Sequence, residues 1–338
     1  MANSMTYAST LTALGLFRLF TLLTVALPLS ALAQSSYYLE AGYKQQKPFL
    51  FEIEKDGKVS HILGSMHAGI PLSSYPEIVF ELSAKSKNMA FEADAEAFKK
   101  EHGEDLRAAA VYPDGDSLDR HLSPNAIAKL QQLFDNGQGI GHLMKYRPWA
   151  IASELDSALV DALKKSDQAD QWEVLKGIDI TLLQNGRQAG KPITYLDDLS
   201  HKVQEFNENT SADDLEKLLS YPDPMAHLLS CARMVQGSYL AGDESGFQRY
   251  NDLCESENFL KRLQSRTISW VPKLDQLFKE GGAFVVVGVD HMNGPHGITA
   301  LLTAKGYKVR RLNPTGNSIM EPSTTFSNPI SSETRSIR

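Results

Sequence analysis

Cysteine is scarce in this chain: only Cys231 and Cys254 occur among 338 residues. They form no C-x-x-C pair and stand away from the histidine motifs discussed below, which excludes a thioredoxin-type redox centre. An excess of basic side chains is also missing. With 34 Lys and Arg against 41 Asp and Glu, the net charge is -7, which argues against a nucleic-acid partner. No Walker sequence, dinucleotide glycine pattern, Gly-x-Ser-x-Gly elbow or H-E-x-x-H helix is present; these absences remove familiar signatures without excluding the reactions they serve.

Long apolar runs are equally rare. The clearest one, "LFTLLTVALPL" from Leu19 to Leu29, is too short for a stable bilayer span. "SALAQ" follows, with Ala31 and Ala33 placed as a secretory peptidase requires, so residues 1–33 are expected to be a signal peptide cleaved after Ala33. The competing reading is a retained anchor, because Arg18 is the only charged residue of the leader. No cysteine stands at the expected cut, so lipidation there is not indicated. The mature product is expected in the periplasm or secreted, with no stable membrane span after processing.

In that oxidising setting, two cysteines 23 positions apart can close a loop. The intervening "ARMVQGSYLAGDESGFQRYNDL" reads as helix, glycine-rich turn, helix, a hairpin that brings its ends together. A Cys231–Cys254 disulfide is therefore expected, the alternative being two buried thiols.

What the chain does have is apolar residues enough for a sizeable core, 42% of the total, and elements that alternate. "PFLFEI" and "KVSHILGSMH" read as a β-hairpin across the polar Lys55 to Lys58 turn. A helix entering at Pro76 and a short strand near Met89 to Phe91 complete a strand-helix-strand unit, which favours an α/β organisation. Residues 95–170 are mostly helical, with Ser123 capping a helix that begins at Pro124. Further on come a helix and the strand "ITYL", and then a helix capped by Thr210 or Ser211. "RTISWVPKLDQLFKEGG" is read as the next helix, with Arg266 at its start. The strand "AFVVVG", a helix stopped by Gly306 and a last strand from Tyr307 to Leu312 follow. Asn313 onward, rich in Ser, Thr, Pro and Asn, is expected to be a mobile tail over 313–338.

The two ends of the chain resemble each other. One strand runs to Gly64 and His67 and another to Gly288 and His291, both written Gly-x-x-His. Each copy follows the C-terminal end of an apolar strand, where α/β proteins open their functional crevice. If the strands are neighbours, the imidazoles converge. Glu92, at the end of the Met89 to Phe91 strand, supplies a carboxylate by the same logic. Two imidazoles and a carboxylate form a common ligand set for a divalent metal, which lowers the pKa of bound water and polarises a scissile carbonyl. Glu92 could instead act as general base. Arg266 could hold Glu92 or bind a substrate carboxylate. Asp197 and Asp198 occupy another strand end, where capping is the plainer explanation, and Gln204 is a weaker candidate. His296 in "NGPHG" and His61 are expected outside the site.

Together, "HILGSMH", "FEAD", "GIDITLLQNGRQAGKPITYLDDL", "YLAGD", "RTISWVPKL" and "FVVVGVDHMNGPHGITALLTAKGYKVRRL" resemble the TraB/GumN family, related to the Tiki-like proteases. The resemblance covers roughly residues 40–312. It implies one α/β domain over 34–312, whose central mixed sheet is built from the N- and C-terminal halves, with a helical insertion at about 95–185. It also implies divalent-metal-dependent peptide hydrolysis with His67, Glu92 and His291 as metal ligands, and with Arg266 beside them. Thr267 stands where the family usually has asparagine, and Asp197 where glutamate is common. Related folds include haem-binding and ester-hydrolysing proteins.

Two classes of function follow. The first is a metal-dependent hydrolase of a peptide or similar acyl bond, using Mn²⁺, Co²⁺ or Zn²⁺. The second is a noncatalytic protein that binds a small molecule, haem or peptide in the same crevice.

Overall fold

The structure, a computed structural model, describes residues 43–134, 137, 139–164, 177–198, 203, 205 and 210–319. The expected leader, Gln204 and the tail beyond 319 lie outside the described residues.

Strands β1 (Leu50–Lys55) and β2 (Lys58–Ser65) pair antiparallel through the two-residue turn Asp56-Gly57. Both turn residues have positive φ, 51° and 72°, the geometry that matches the twist of a tight hairpin and that Asp-Gly supplies at low cost. Helix α1 (Glu77–Lys85), with Pro76 at its N-cap, leads to β3 (Asn88–Phe91). A helical stretch then holds α2 (Ala95–Ala109), α3 (Pro124–Phe134) and α4 (Pro148–Lys164). Helix α5 (Ile178–Gln188) returns the chain to β4 (Ile193–Tyr195). Helices α6 (Ala212–Leu219), α7 (Pro224–Ala241), α8 (Glu244–Cys254) and α9 (Glu257–Glu280) precede β5 (Ala283–Gly288). Helix α10 (Ile298–Ala304) and β6 (Lys308–Arg311) close the fold.

The six strands form one mixed sheet in the order β4-β3-β5-β2-β1-β6. Strands β4, β3, β5 and β2 run parallel, and β1 is antiparallel to both of its neighbours. The C-terminal β5 thus lies between two N-terminal strands, so the mixed sheet built from both halves of the chain is present. Every residue of β5 is buried, as a central parallel strand covered on both faces requires. All four parallel strands end at the same edge, and their C-terminal loops open onto one crevice.

The sheet core includes Phe49, Trp270, Phe278 and Phe284. A second apolar cluster, with Leu130, Leu155, Leu218 and Tyr250, joins α3 and α4 to α6, α7 and α8. Cys231 and Cys254 are buried in it and form the expected disulfide across the α7–α8 hairpin. Caps read from sequence are in place. Ser123 Oγ accepts from the Ala126 amide at 3.2 Å, and Ser211 and Asp214 form a reciprocal capping box.

One element differs from its sequence reading. Helix α9 begins at Glu257, not near Arg266, with the Ser256 side chain accepting from the Phe259 amide at 3.0 Å. Buried Thr267, Trp270, Val271, Leu274 and Phe278 continue a single helical stripe. Pro272 lies inside the helix and donates nothing to the carbonyl of Ile268 four residues earlier. Ile268 is among the most exposed large apolar residues, which puts the missing bond on the outer face of the helix. Among the described residues no helix is long and apolar enough to cross a membrane.

Candidate metal centre

Because Ser65 pairs with Gly288 across β2 and β5, the residues just past each strand leave the sheet side by side. His67 follows β2 by two residues, and His291 ends the short turn after β5. Glu92 leaves β3 on the other side of β5. Its carboxylate reaches across the end of the central strand, where Oε1 accepts from the Gly288 amide. His67 Nε2 stands 3.9 Å from Oε1 of Glu92, and His291 Nε2 stands 3.8 Å from the same oxygen. Glycine at 288 lets the two side chains close over the strand end. A Cβ there would lie 3.1 Å from that oxygen and 3.2 Å from His67 Nε2, filling the space between them.

Each imidazole is oriented from behind. His67 Nδ1 donates to Asp179 Oδ2 at 2.9 Å, which leaves Nε2 as the acceptor facing Glu92. Thr267 Oγ1 donates to the Leu263 carbonyl at 2.6 Å and accepts from His291 Nδ1 at 2.7 Å, which leaves Nε2 unprotonated, accepting from Arg266 Nη1 at 3.4 Å. The Trp270 ring lies 4.2 Å from the His291 ring and fixes its plane. His291 is 1% exposed and forms the floor, whereas His67, at 34%, stands at the mouth.

Arg266 ties the carboxylates together. Its Nη2 donates to Glu92 Oε2 at 2.6 Å and to Asp197 Oδ2 at 2.7 Å, while Nε donates to Asp197 Oδ1 at 2.9 Å. Trp270 Nε1 donates to the same Asp197 oxygen at 2.9 Å. Asp197 is brought here because the β3–β4 pairing continues one step past the strands, with its amide bonded to the Glu92 carbonyl. Burial alone would raise the Glu92 pKa. The charge of Arg266, the two imidazoles and the Gly288 amide more than reverse it, so the carboxyl lies well below the usual carboxylate range. Burial would lower the pKa of Arg266, but Glu92 and Asp197 raise it above its ordinary value.

Glu92, Asp197 and Asp179 thus lie around the Arg266 guanidinium and the two imidazoles. Two imidazole nitrogens on either side of one carboxylate oxygen are donor types that a first-row divalent metal takes. Each Nε2 lies within 3.9 Å of that oxygen, but the three donors do not all lie within 4.8 Å of one another, so a shared ion requires the two imidazoles to move toward each other. The set also has the carboxylate–histidine support usual behind metal-binding imidazoles. The donor types therefore fit a metal, whereas their spacing fits one only after the rings close in.

A tighter group, with all donor atoms within 4.8 Å of one another, is His227, Cys231 and Cys254. Its sulfurs are bonded to each other, so as built it offers no thiolate.

The four candidate site residues His67, Glu92, His291 and Arg266 meet at this one crevice, Arg266 from mid-helix instead of a helix start. Asp197 joins them; Asp198 and His296 are exposed, and His61 lies farther back along β2. Asp179 is the residue that sequence reasoning passed over, since an acid in a helix's first turn has an ordinary capping explanation. The available signal was Gly177 two positions before it. A Cβ there would lie 2.3 Å from the His67 carbonyl oxygen, so the glycine marks where α5 approaches the β2 loop.

Residues 49–311 match the TraB/PrgY/gumN family. The chain belongs to that family. The match begins just before β1 and ends at the last residue of β6, so it contains the whole sheet and every residue of the crevice. Comparison with curated proteins and with solved structures yields no match.

Proposed function

We propose that this TraB/PrgY/gumN family member is an exported, divalent-metal-dependent hydrolase of a peptide or similar acyl bond, with His67, Glu92 and His291 as metal ligands. The observation that carries the reading is the pair of Nε2 atoms turned toward one Glu92 oxygen, each ring held from behind by Asp179 or Thr267. The sequence resemblance that extends to the Tiki-like proteases implies the same chemistry. When bound, a Mn²⁺, Co²⁺ or Zn²⁺ ion supplies Lewis acidity and lowers the pKa of coordinated water.

The protein's own groups have distinct tasks. Glu92, anionic and engaged by Arg266, serves as a ligand; so acidic a group is a weak acceptor for a proton at neutral pH. Arg266, partly exposed at the mouth, holds Glu92 and Asp197 in place and brings a permanent positive charge beside the spot where negative charge develops on a carbonyl oxygen. Buried His291 and Trp270 exclude water from the floor. The Cys231–Cys254 disulfide, of a kind that persists in oxidising compartments, supports export, as does the sequence of residues 1–33. The partner is then a peptide or small-molecule substrate, and no nucleic acid is involved.

Purified chain loaded with Mn²⁺, Co²⁺ or Zn²⁺ should cleave members of a broad peptide library read by mass spectrometry, and His67→Ala and His291→Ala should abolish cleavage. Equal cleavage by all variants would refute the assignment. Stoichiometric capture of a peptide or small molecule without turnover, under all three metals, would favour the binding-protein reading.

A further inference from the structure

The disulfide lies in a setting that a purely structural crosslink does not require. His227 and Cys231 are four residues apart on α7 and therefore share one face. Cys254 is the last residue of α8 and meets them from the other arm of the hairpin. His227 Nε2 is 3.6 Å from Cys231 Sγ, and one donor atom from each of the three residues lies within 4.8 Å of the others. The imidazole is stacked on Tyr221 with centroids 3.8 Å apart, which fixes its plane. Both sulfurs are fully buried while His227 is partly exposed, so the ring stands between the sulfurs and solvent.

We propose that His227, Cys231 and Cys254 form a second cation site, closed while the disulfide is intact and open when the cysteines are thiols, which takes one Zn²⁺ or similarly thiophilic ion. Two thiolates and an imidazole are the donor types such an ion selects, and three protein ligands leave a fourth position for water. Thiolates in the apolar cluster of Leu218, Leu228 and Tyr250 need a counter-charge, which a divalent ion supplies. The cysteines are thiols when the chain is made, so loading needs no reductant; the two thiol protons leave to solvent as the ion binds. Closure of the disulfide then consumes one disulfide of an exchange partner. The Cys231–Cys254 bond forms, the partner takes up two electrons and two protons as two thiols, and the ion is released. The α7–α8 hairpin is held by a metal before oxidation and by a covalent bond after it.

The site is independent of the His67 centre, and the experiment separates the two. Full-length chain reduced with a phosphine under anaerobic conditions is titrated with Zn²⁺ against a chromophoric chelator and with Co²⁺ for thiolate-to-cobalt charge-transfer absorption. Reduced protein should bind one equivalent more than oxidised protein and develop that absorption. His227→Ala should weaken the extra equivalent roughly tenfold or more, and Cys231→Ser with Cys254→Ser should delete it. His67→Ala should leave it unchanged. If reduction loosens the hairpin, Zn²⁺ should restore the near-ultraviolet circular dichroism. Equal stoichiometry in both redox states, failure of Zn²⁺ to restore a lost signal, or thiolate binding indifferent to His227 would each overturn the proposal.

Discussion

Asp179 touches none of the atoms that face the crevice centre, yet it decides which nitrogen of His67 carries the proton. Asp179→Asn keeps the shape but can present an amide donor to Nδ1, which favours the opposite tautomer and turns a protonated Nε2 toward Glu92. The expected outcome is a fall of roughly 10- to 100-fold in divalent-metal affinity with little change in thermal midpoint. Isothermal titration beside a melting curve checks it, and unchanged affinity would remove Asp179 from the centre. At this scale the sequence was informative where strand ends meet chemistry. His67, Glu92 and His291 each follow a short apolar strand, and although one such residue has an ordinary surface or capping explanation, the repeated Gly-x-x-His pattern made the pair of imidazoles stand out. Asp179 and Thr267 sit on helices, where a first-turn acid and a mid-helix threonine are ordinary, and their partners are 112 and 24 residues away.

Elements with clear stop and start chemistry were legible, among them the Asp-Gly hairpin and the Ser123 and Ser211 caps. Helix α9 was not fully so. Pro272 and the familiar "RTISWVPKL" drew attention to its second half, whereas the Ser256-Glu257 start carries no glutamate at the third helical position to complete a capping box. The α7–α8 hairpin was readable from Gly242 and the cysteine spacing. Replacing Cys231 and Cys254 by serine should lower stability by about 3 kcal/mol, the chain-entropy value for a loop of this size. Urea unfolding of oxidised wild-type and the double variant, without reductant, measures it. A loss below about 1 kcal/mol would mean that packing alone holds the hairpin.

At the scale of the whole molecule, the α/β class was visible from strands at both ends of the chain, but the order β4-β3-β5-β2-β1-β6 was not. Nothing local in "AFVVVG" says that it inserts between β3 and β2, and only that insertion makes the two Gly-x-x-His segments neighbours. The helical layer carries a cost of its own. Asp156, 3% exposed, has its pKa raised well above 3.8 by burial and by the charge of Glu255. An acid with a raised folded-state pKa binds its proton more tightly when folded, so its ionised form opposes folding above that pKa, and the penalty fades as pH falls toward 3.8. Asp156→Asn should therefore raise the thermal midpoint at pH 7, with a gain that shrinks on acidification. A constant gain, or a loss, would contradict the assignment.

Crystals of the oxidised chain grown with Zn²⁺ or Mn²⁺, with anomalous differences collected at the metal's absorption edge, test the central claim most directly. The account expects one strong peak in the crevice at the end of β5, about 2.0 to 2.2 Å from His67 Nε2, His291 Nε2 and a Glu92 oxygen. A crevice without a peak under saturating metal, or a peak that either imidazole does not reach, would contradict it.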